Sequence, residues 1–320
     1  MSSPVTERKG PSMNSTPVRV HLIGDAYPEL LAELAETGAS IVADPAVADG
    51  VVFSYGGQPQ QLLETLDAHA GIGWVQLPSA GIEMFSAALA AHPDKLWTSA
   101  KGAYALPVAE HALALTLALL RELPERVRAT SWAPATGTSL HGLRVVVVGA
   151  GGVAQEIVRL MKCFRTDVTV VRRRALPASG ADETITDAEL LSALPTADVL
   201  VLAAAATPDT RGLIDAAALA VLPSHAILVN IARGSLVDTD ALVAALSAGR
   251  IAGAALDVTD PEPLPDGHPL WTEPRALITP HAADTIEMIR PLYAARVATN
   301  VARFGAGEEL DGIVESAAGY

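Results

Sequence analysis

The sequence is poor in aromatic residues and in positive charge. Aromatic side chains make up 4% of its 320 residues, and 22 Lys and Arg residues are outnumbered by 36 Asp and Glu residues, for a net charge of -14. An acidic surface repels nucleic acid and anionic membranes, so we expect neither as a partner. A protein of this charge that binds a small anion must do so with local, preorganised cations.

Cysteine and long apolar runs are also scarce. Cys163 is the only cysteine, so no internal disulfide can form, and no charged, then apolar, then small-residue leader opens the chain. We therefore expect a cytoplasmic location. Cys163 lies in a helical pattern and is predicted to be an inert thiol of the core. No apolar run approaches the ~20 residues that a membrane helix needs.

Strand and helix patterns alternate along the chain, which predicts an α/β fold with parallel sheets. Residues 1–16 have little to bury and are predicted to be a disordered tail, within which Met13 is an alternative start. The first set of patterns predicts strands over 18–23, 41–42, 51–53 and 74–77 and helices over 28–36 and 108–120. The second set predicts six strands, over 145–148, 168–171, 199–202, 226–229, 253–256 and 276–278.

These two sets predict two domains, which is an ordinary division for a chain of this length. The apolar helix over 108–120 leads into a polar stretch over 133–138, where we place the first crossing between domains. A final helical segment over 290–304 is expected to return to the first domain. Both domains are predicted to be Rossmann-like, doubly wound parallel sheets.

A glycine-rich loop, GAGGVA over 149–154, directly follows the first strand of the second set. Gly149 allows a tight turn, Gly151 leaves room for a pyrophosphate, and Ala154 is small enough for the helix to pack on the strand. The loop amides and the helix N-terminus would then face phosphates. The alternative is a tight connection that binds nothing. The order of strand, loop and helix favours a dinucleotide site.

Three arginines stand where an NAD-binding protein carries an acidic residue. The second strand of this set ends at 171, and Arg172, Arg173 and Arg174 follow it. A guanidinium can pair bidentately with a 2′-phosphate, so this cluster favours NADP(H) over NAD(H). The alternative is a solvated basic loop.

One arginine, one carboxylate and one imidazole follow three later strands: Arg233 in NIARG, Glu262 in DVTDPEPL and His281 in TPH. Reduction of a 2-oxo acid needs a cation that holds the carboxylate and polarises the carbonyl, and the planar guanidinium of Arg233 suits both tasks. His281 can donate a proton near neutral pH. Glu262 would bind the imidazole, fix its tautomer and favour its protonated form.

Each member of this trio also has a structural interpretation. Arg233 could form an ion pair at a helix entry, His281 could be a satisfied loop residue, and Glu262 could lie in a solvated turn. Their joint occurrence at strand ends, where doubly wound sheets bind ligands, favours catalysis. Asp257, also at a strand end, could accept a hydrogen bond from a nicotinamide carboxamide or cap a turn.

These segments resemble the D-isomer-specific 2-hydroxyacid dehydrogenase family. The resemblance also includes TPDTRGLI over 207–214, PSAGIE over 78–83 and VAEH over 108–111. It implies a flavodoxin-like substrate domain over 17–120 plus 290–320, an NAD(P)-binding Rossmann domain over 121–289, and an active site in the cleft between them. It further implies a metal-free homodimer, formed through the helix that follows VAEH.

The activity implied is hydride transfer between NAD(P)H and a small 2-oxo acid or D-2-hydroxy acid, with glyoxylate or hydroxypyruvate among the substrates. Arg233 would bind substrate, His281 would be the proton donor and Glu262 its acid partner. Tyr55, Gly56, Ala80 and Gly81, with Arg233, would bind the substrate. The cofactor contacts implied are Gly149, Gly151, Gly152, Val153, Arg172, Arg173, Thr207, Ile231, Ala232, Arg233, Asp257, His281 and Ala283.

The alternative function is that of a dinucleotide-sensing regulatory protein, because co-repressors similar to this family keep the same fold and trio. A sensor would bind the dinucleotide with little turnover.

Overall fold

Parallel strands form two separate sheets in the computed structural model, which describes residues 17–174 and 176–314. The described residues fall into two units, 17–100 with 293–314, and 101–174 with 176–292. The tail predicted over 1–16 lies outside the described residues. The prediction of two parallel-sheet α/β domains is confirmed.

The smaller sheet has the strand order β2-β1-β3-β4-β5, which is that of a flavodoxin-like doubly wound sheet. Its strands are β1 (Arg19–Ile23), β2 (Ser40–Ile41), β3 (Gly50–Phe53), β4 (Trp74–Gln76) and β5 (Leu96–Thr98). Its helices are α1 (Pro28–Glu36), α2 (Pro59–Ala68) and α3 (Ser86–Ala91). Buried side chains of β3 and β4 form the core because both faces of the central strands are covered.

The C-terminal part of the long helix α10 (Ile286–Ala306) completes this unit through buried polar contacts. The fully buried Tyr293 hydroxyl donates to the carbonyls of Phe53 at 2.6 Å and Gln76 at 3.3 Å. Burial raises the pKa of Tyr293 well above its ordinary value, which keeps the hydroxyl protonated as a donor. Asn300 and Thr98 both donate to the Gln76 side chain, at 2.7 and 2.9 Å. These directional contacts fix the helix against the sheet.

The larger sheet has the order β12-β11-β10-β9-β6-β7-β8, and every neighbouring pair is parallel. Its central strands are continuous apolar runs because helices cover both faces. The strands are β6 (Arg144–Val148), β7 (Asp167–Val171), β8 (Glu183–Ile185), β9 (Val199–Leu202), β10 (Ile227–Asn230), β11 (Gly253–Leu256) and β12 (Ala276–Ile278).

Two strands, β5 and β8, were not predicted from the sequence. Both are three-residue strands at the edge of a sheet. In β8 the side chains of Glu183 and Thr184 are polar and none of the three residues is buried. An edge strand of this kind lacks the apolar run that identifies a buried strand.

Helices α4 (Ala105–Leu120) and α6 (Gly152–Lys162) pack against each other on the larger sheet. The division made from the sequence placed α4 in the first domain, whereas its contacts with α6, β10 and β11 group it with the second unit. The apolar residues of α4 gave no indication of which sheet they would cover. The other helices of this unit are α5 (Leu123–Arg126), α7 (Leu190–Ala193), α8 (Ala216–Val221) and α9 (Thr239–Ser247).

The prediction that Cys163 lies in the core is wrong, because its side chain is exposed. Cys163 caps the C-terminus of α6, one residue after the last helical turn. The buried stripe of that helix is Ala154, Ile157, Val158 and Met161, and the next position on that face lies beyond the helix end.

Among the described residues, no helix combines the length and the apolar character that crossing a bilayer requires.

Candidate active site

Parallel pairing brings the loops that carry the predicted residues to one edge of the larger sheet. Gly149 follows β6, Arg172 follows β7, Arg233 lies beyond β10, Asp257 follows β11, and His281 lies beyond β12. The strand order reverses at β6, which lies between β7 and β9. Doubly wound sheets bind ligands at the carboxyl ends of strands beside such a reversal.

The glycine loop fits a dinucleotide pyrophosphate. Gly149 has φ +118°, and a Cβ there would lie 2.5 Å from the carbonyl oxygen of Ala203. Gly151 is the extended N-cap of α6, has no side chain to cap the first amides, and a Cβ there would meet no heavy atom within 4 Å. The N-terminal amides of α6 therefore open onto space that a phosphate can occupy.

The arginine cluster begins beside this loop, because the Gly149 amide donates to the Val171 carbonyl at 2.8 Å. Arg172 is partly buried, and its guanidinium donates to the Leu176 carbonyl at 3.1 Å. Arg173 and Arg174 are exposed. The structure thus places the backbone that leads to Arg172 beside the glycine loop and holds the Arg172 guanidinium on the Leu176 carbonyl.

The other predicted cofactor contacts lie on the same edge of the sheet. Ile231 and Ala232 directly follow β10 and are each 8% exposed. Thr207 follows β9, and its amide donates to the Thr210 hydroxyl at 2.8 Å. Gly152 and Val153 open α6.

Two members of the predicted trio, His281 and Glu262, are in direct contact. Their Nδ1 and Oε1 atoms lie 2.7 Å apart, and the two side chains are about half exposed, at 50% and 42%. An ionised carboxylate only accepts hydrogen bonds, so Nδ1 carries the proton. This leaves Nε2 as the nitrogen that can exchange a proton with a bound molecule.

Asn230 shapes the loop that carries Arg233. Its side-chain amide donates to the Arg233 carbonyl at 2.9 Å, and its side-chain oxygen accepts the Ala232 amide at 3.0 Å. The Arg233 guanidinium donates to the Ala232 carbonyl at 2.7 Å. Because Asn230 is fully buried, these bonds hold the backbone around Arg233 firmly.

The Arg233 loop lies directly against the loop that leads to Glu262. Gly234 is buried, and a Cβ at this position would overlap the backbone of Thr259 and Asp260. Only glycine permits this approach of the two backbones. The structure therefore brings all three loops of the trio together, and it bonds His281 directly to Glu262.

Asp257 anchors the loop that carries His281. Its buried carboxylate accepts the Thr279 hydroxyl at 2.6 Å and the amides of Ala282 at 2.9 Å and Ala283 at 3.1 Å. Its backbone carbonyl accepts the His281 amide at 2.8 Å. Within the chain, the contacts of Asp257 are those of a turn cap, which is one of the two interpretations made from the sequence.

Asp257 is charged in spite of its burial. Burial favours the neutral acid and would raise the pKa of Asp257, but hydrogen bonds from His111, Thr279 and the Ala282 amide outweigh it. The pKa therefore lies below its ordinary value. Sequence reasoning noted His111 only as part of VAEH and assigned it no role.

Asp284 is a second acidic group that sequence reasoning missed. Burial raises the pKa of the Asp284 carboxyl above its ordinary value, and the neighbouring His281 offsets this only in part. In the sequence, the position of Asp284 three residues after His281 could have identified it as a neighbour of the site.

The predicted substrate residues lie on the carboxyl edge of the smaller sheet. Tyr55 and Gly56 follow β3, whereas Ala80 and Gly81 follow β4. The Tyr55 hydroxyl donates to the Pro78 carbonyl at 3.2 Å, which brings the two loops together. Gly56 adopts φ +81°.

Known proteins share this fold and these loops. The family model for the D-isomer specific 2-hydroxyacid dehydrogenase, NAD binding domain, matches residues 113–283. An uncharacterized protein in the proB 3′ region of Corynebacterium melassecola is 38% identical over 289 residues, which cover 88% of this chain and 93% of that protein. The chain belongs to the D-isomer-specific 2-hydroxyacid dehydrogenase family, and the resemblance inferred from its motifs is confirmed.

Two solved structures are similar over almost the whole chain. A D-isomer specific 2-hydroxyacid dehydrogenase from Xanthobacter autotrophicus Py2, in complex with NADPH and MES, is 26% identical with a TM-score of 0.81, covering 95% of this chain and 100% of its own. An NADPH-dependent glyoxylate/hydroxypyruvate reductase from Sinorhizobium meliloti, in complex with NADP and sulfate, is 25% identical with a TM-score of 0.78, covering 94% and 99%.

The homologues of this chain are thus NAD(P)-dependent oxidoreductases that act on CH–OH donors. Within the described residues, no group of three or more His, Cys, Asp and Glu side chains is placed to hold a metal ion.

The close contact at Gly234 predicts that an added methyl group there will strongly destabilise the folded protein. Gly234→Ala should lower the free energy of unfolding by about 1–3 kcal/mol, because the Thr259 backbone must shift to make room. Urea denaturation followed by circular dichroism measures this change. Gly151→Ala is the matched control and should leave stability unchanged, since its Cβ enters open space. Equal stability of the two variants would contradict the close approach.

Proposed function

We propose that this protein reduces small 2-oxo acids to D-2-hydroxy acids with a nicotinamide coenzyme. The observation that carries the proposal is the 2.7 Å contact between His281 and Glu262, on a sheet edge shared with the Arg233 loop and the glycine loop. Membership of the dehydrogenase family supports the same activity.

The chain's own residues have distinct tasks in this proposal. Arg233 holds the substrate carboxylate and polarises the carbonyl oxygen, on which negative charge develops. His281 donates the Nε2 proton to that oxygen, and Glu262 stabilises the imidazolium before transfer and fixes its tautomer. The bound coenzyme supplies the hydride. In the direction of oxidation, His281 accepts the proton from the hydroxyl group.

The smaller unit contributes to substrate binding in the proposal. Backbone amides around Tyr55, Gly56, Ala80 and Gly81 would hold the substrate carboxylate together with Arg233. These loops offer few charged side chains, which favours compact acids. Glyoxylate and hydroxypyruvate are our candidate substrates, and the reductase from Sinorhizobium meliloti is named for both.

We place the coenzyme along the carboxyl edge of the larger sheet. The pyrophosphate would lie on the amides of α6 that open at Gly151. The Oδ2 atom of Asp257 accepts the Ala283 amide and keeps a lone pair that could accept the carboxamide. The proposed contacts are Gly149, Gly151, Gly152, Val153, Arg172, Arg173, Thr207, Ile231, Ala232, Arg233, Asp257, His281 and Ala283.

Substitution of the trio tests the activity. His281→Ala and Arg233→Ala should each lower kcat/KM for a reduced 2-oxo acid by about 10²–10⁴-fold, because each removes a group that acts in the transition state. A panel of 2-oxo acids, run with both NADH and NADPH, identifies the substrate, and coenzyme fluorescence measures binding, which should be retained.

His141→Ala is the matched control, because His141 is exposed and precedes the amino end of β6, at the opposite edge of the sheet. Near-normal rates in the two trio variants would remove their proposed roles. Wild-type protein that binds NADPH tightly and reduces no acid of the panel would favour the sensor instead.

The position of Arg172 supports a preference for NADPH. Arg172→Ala should lower the kcat/KM ratio of NADPH to NADH by roughly 10–100-fold, since it removes a charged hydrogen bond to the 2′-phosphate. Steady-state kinetics with each coenzyme at a fixed 2-oxo acid concentration measure the ratio. Arg128→Ala, at an exposed site beyond α5, should leave it unchanged. A wild-type protein that prefers NADH would refute the preference.

Exposed apolar side chains near α4 support a homodimer. Leu106, Leu123 and Val127 are 57%, 46% and 77% exposed, and Trp132 is fully exposed. We propose that a second copy of the chain covers them. Sedimentation velocity should show a dimer for the wild type and a monomer for the Val127→Glu, Trp132→Glu double variant. Met84→Glu, at another exposed apolar site, should remain dimeric. A monomeric wild type would contradict this proposal.

A further inference from the structure

His111 makes a specific contact that the proposed activity does not use. It lies on α4, and its side chain is 21% exposed. Its Nε2 atom lies 3.0 Å from the Thr279 hydroxyl and 3.3 Å from Oδ1 of Asp257. A helix residue thus reaches the ends of two neighbouring strands, β11 and β12.

The hydrogen-bond directions in this cluster can be assigned. The Thr279 hydroxyl lies 2.6 Å from Oδ1 of Asp257, and it donates its one proton there because the carboxylate can only accept. The hydroxyl oxygen is then an acceptor toward His111. Nε2 of His111 must therefore carry a proton, which it donates to Thr279 and, over 3.3 Å, shares with Oδ1 of Asp257.

The cluster holds the backbone on both sides of His281. The Asp257 carboxylate binds the Thr279 hydroxyl and the amides of Ala282 and Ala283, while the Asp257 carbonyl binds the His281 amide. His281 itself has φ +51°, a left-handed conformation that is unusual for a residue other than glycine. Such a conformation persists where surrounding contacts enforce it.

We propose that His111 is a positioning residue for His281. By donating to Thr279, it fixes Thr279 and Asp257 as the anchor of the 279–283 loop, and this loop presents the imidazole of His281 to Glu262. The proposal rests on the proposed function of His281 as proton donor.

The competing interpretation is an ordinary packing contact between a helix and a strand end. In that case, loss of the His111 donor would change stability alone. If His111 positions His281, loss of the His111 donor must also displace the His281 ring from Glu262. Glu262 contacts that ring directly, and Asp284 interacts with it electrostatically.

Two variants of His111 separate these interpretations. His111→Leu keeps apolar bulk and removes the donor, whereas His111→Gln keeps an N–H donor near the position of Nε2. His141→Leu is the matched control. Nitrogen-15 NMR of the histidine rings, in protein without coenzyme and at one fixed pH, reports the tautomer of His111 and the Nδ1 resonance of His281, which senses the contact with Glu262. Thermal unfolding confirms that each variant is folded.

We expect the His111 ring to carry its proton on Nε2 in the wild type. In His111→Leu, the Nδ1 resonance of His281 should move away from its wild-type position, because a displaced ring loses part of its contact with Glu262. The same variant should lose about 10–100-fold in kcat with a KM changed less than about threefold, since misplacement affects the reacting geometry. His111→Gln should restore kcat to within about threefold of the wild-type value.

A His111 ring protonated only on Nδ1 would overturn the proposal, and this measurement needs the wild type alone. An unchanged Nδ1 resonance of His281 and an unchanged kcat in a folded His111→Leu variant would also overturn it. A wild type that reduces no 2-oxo acid would refute the proposed function, while the ring resonances would still decide whether His111 positions His281.

Discussion

Every pair of neighbouring strands in the larger sheet is parallel, and the site depends on this arrangement. Parallel strands begin at the same edge, so the loops that leave them also share an edge. The register makes the alignment close, because Asn230 pairs with Leu256 and Leu256 with Ile278. The loops that carry Arg233, Asp257 and His281 thus begin side by side, although about 50 residues separate the first from the last.

The buried carboxylate of Asp257 converts this alignment into a defined geometry. A buried charge is costly unless donors surround it, and all of the donors found here come from α4 or from the 279–283 loop. If the loop moved away, the Asp257 carboxylate would either be exposed to solvent or be left buried without hydrogen-bond donors. The same contacts support the left-handed backbone of His281 and its bond to Glu262. A single electrostatic requirement thereby links the end of the sheet to the proposed proton donor.

Much of the fold was predictable because buried strands are apolar runs. The strands β9, β11 and β12 have the bounds that were predicted, and β6 and β7 each begin one residue earlier. The short edge strand β8 was not predicted, because its side chains are polar or partly exposed. Helix α4 was predicted as a helix, but its apolar residues could cover either sheet, and only its contacts with β10 and β11 decide between them.

The sequence by itself determined the family, the buried strands and the presence of Arg233, Glu262 and His281, because these depend on local motifs and on residue chemistry. The tertiary structure decided that Asp257 anchors the His281 loop and that His111 reaches it from α4. These contacts join residues up to 168 positions apart in the chain. A hydrogen bond over that separation depends on how a helix packs on the ends of two strands, and no spacing of residues along the chain encodes it.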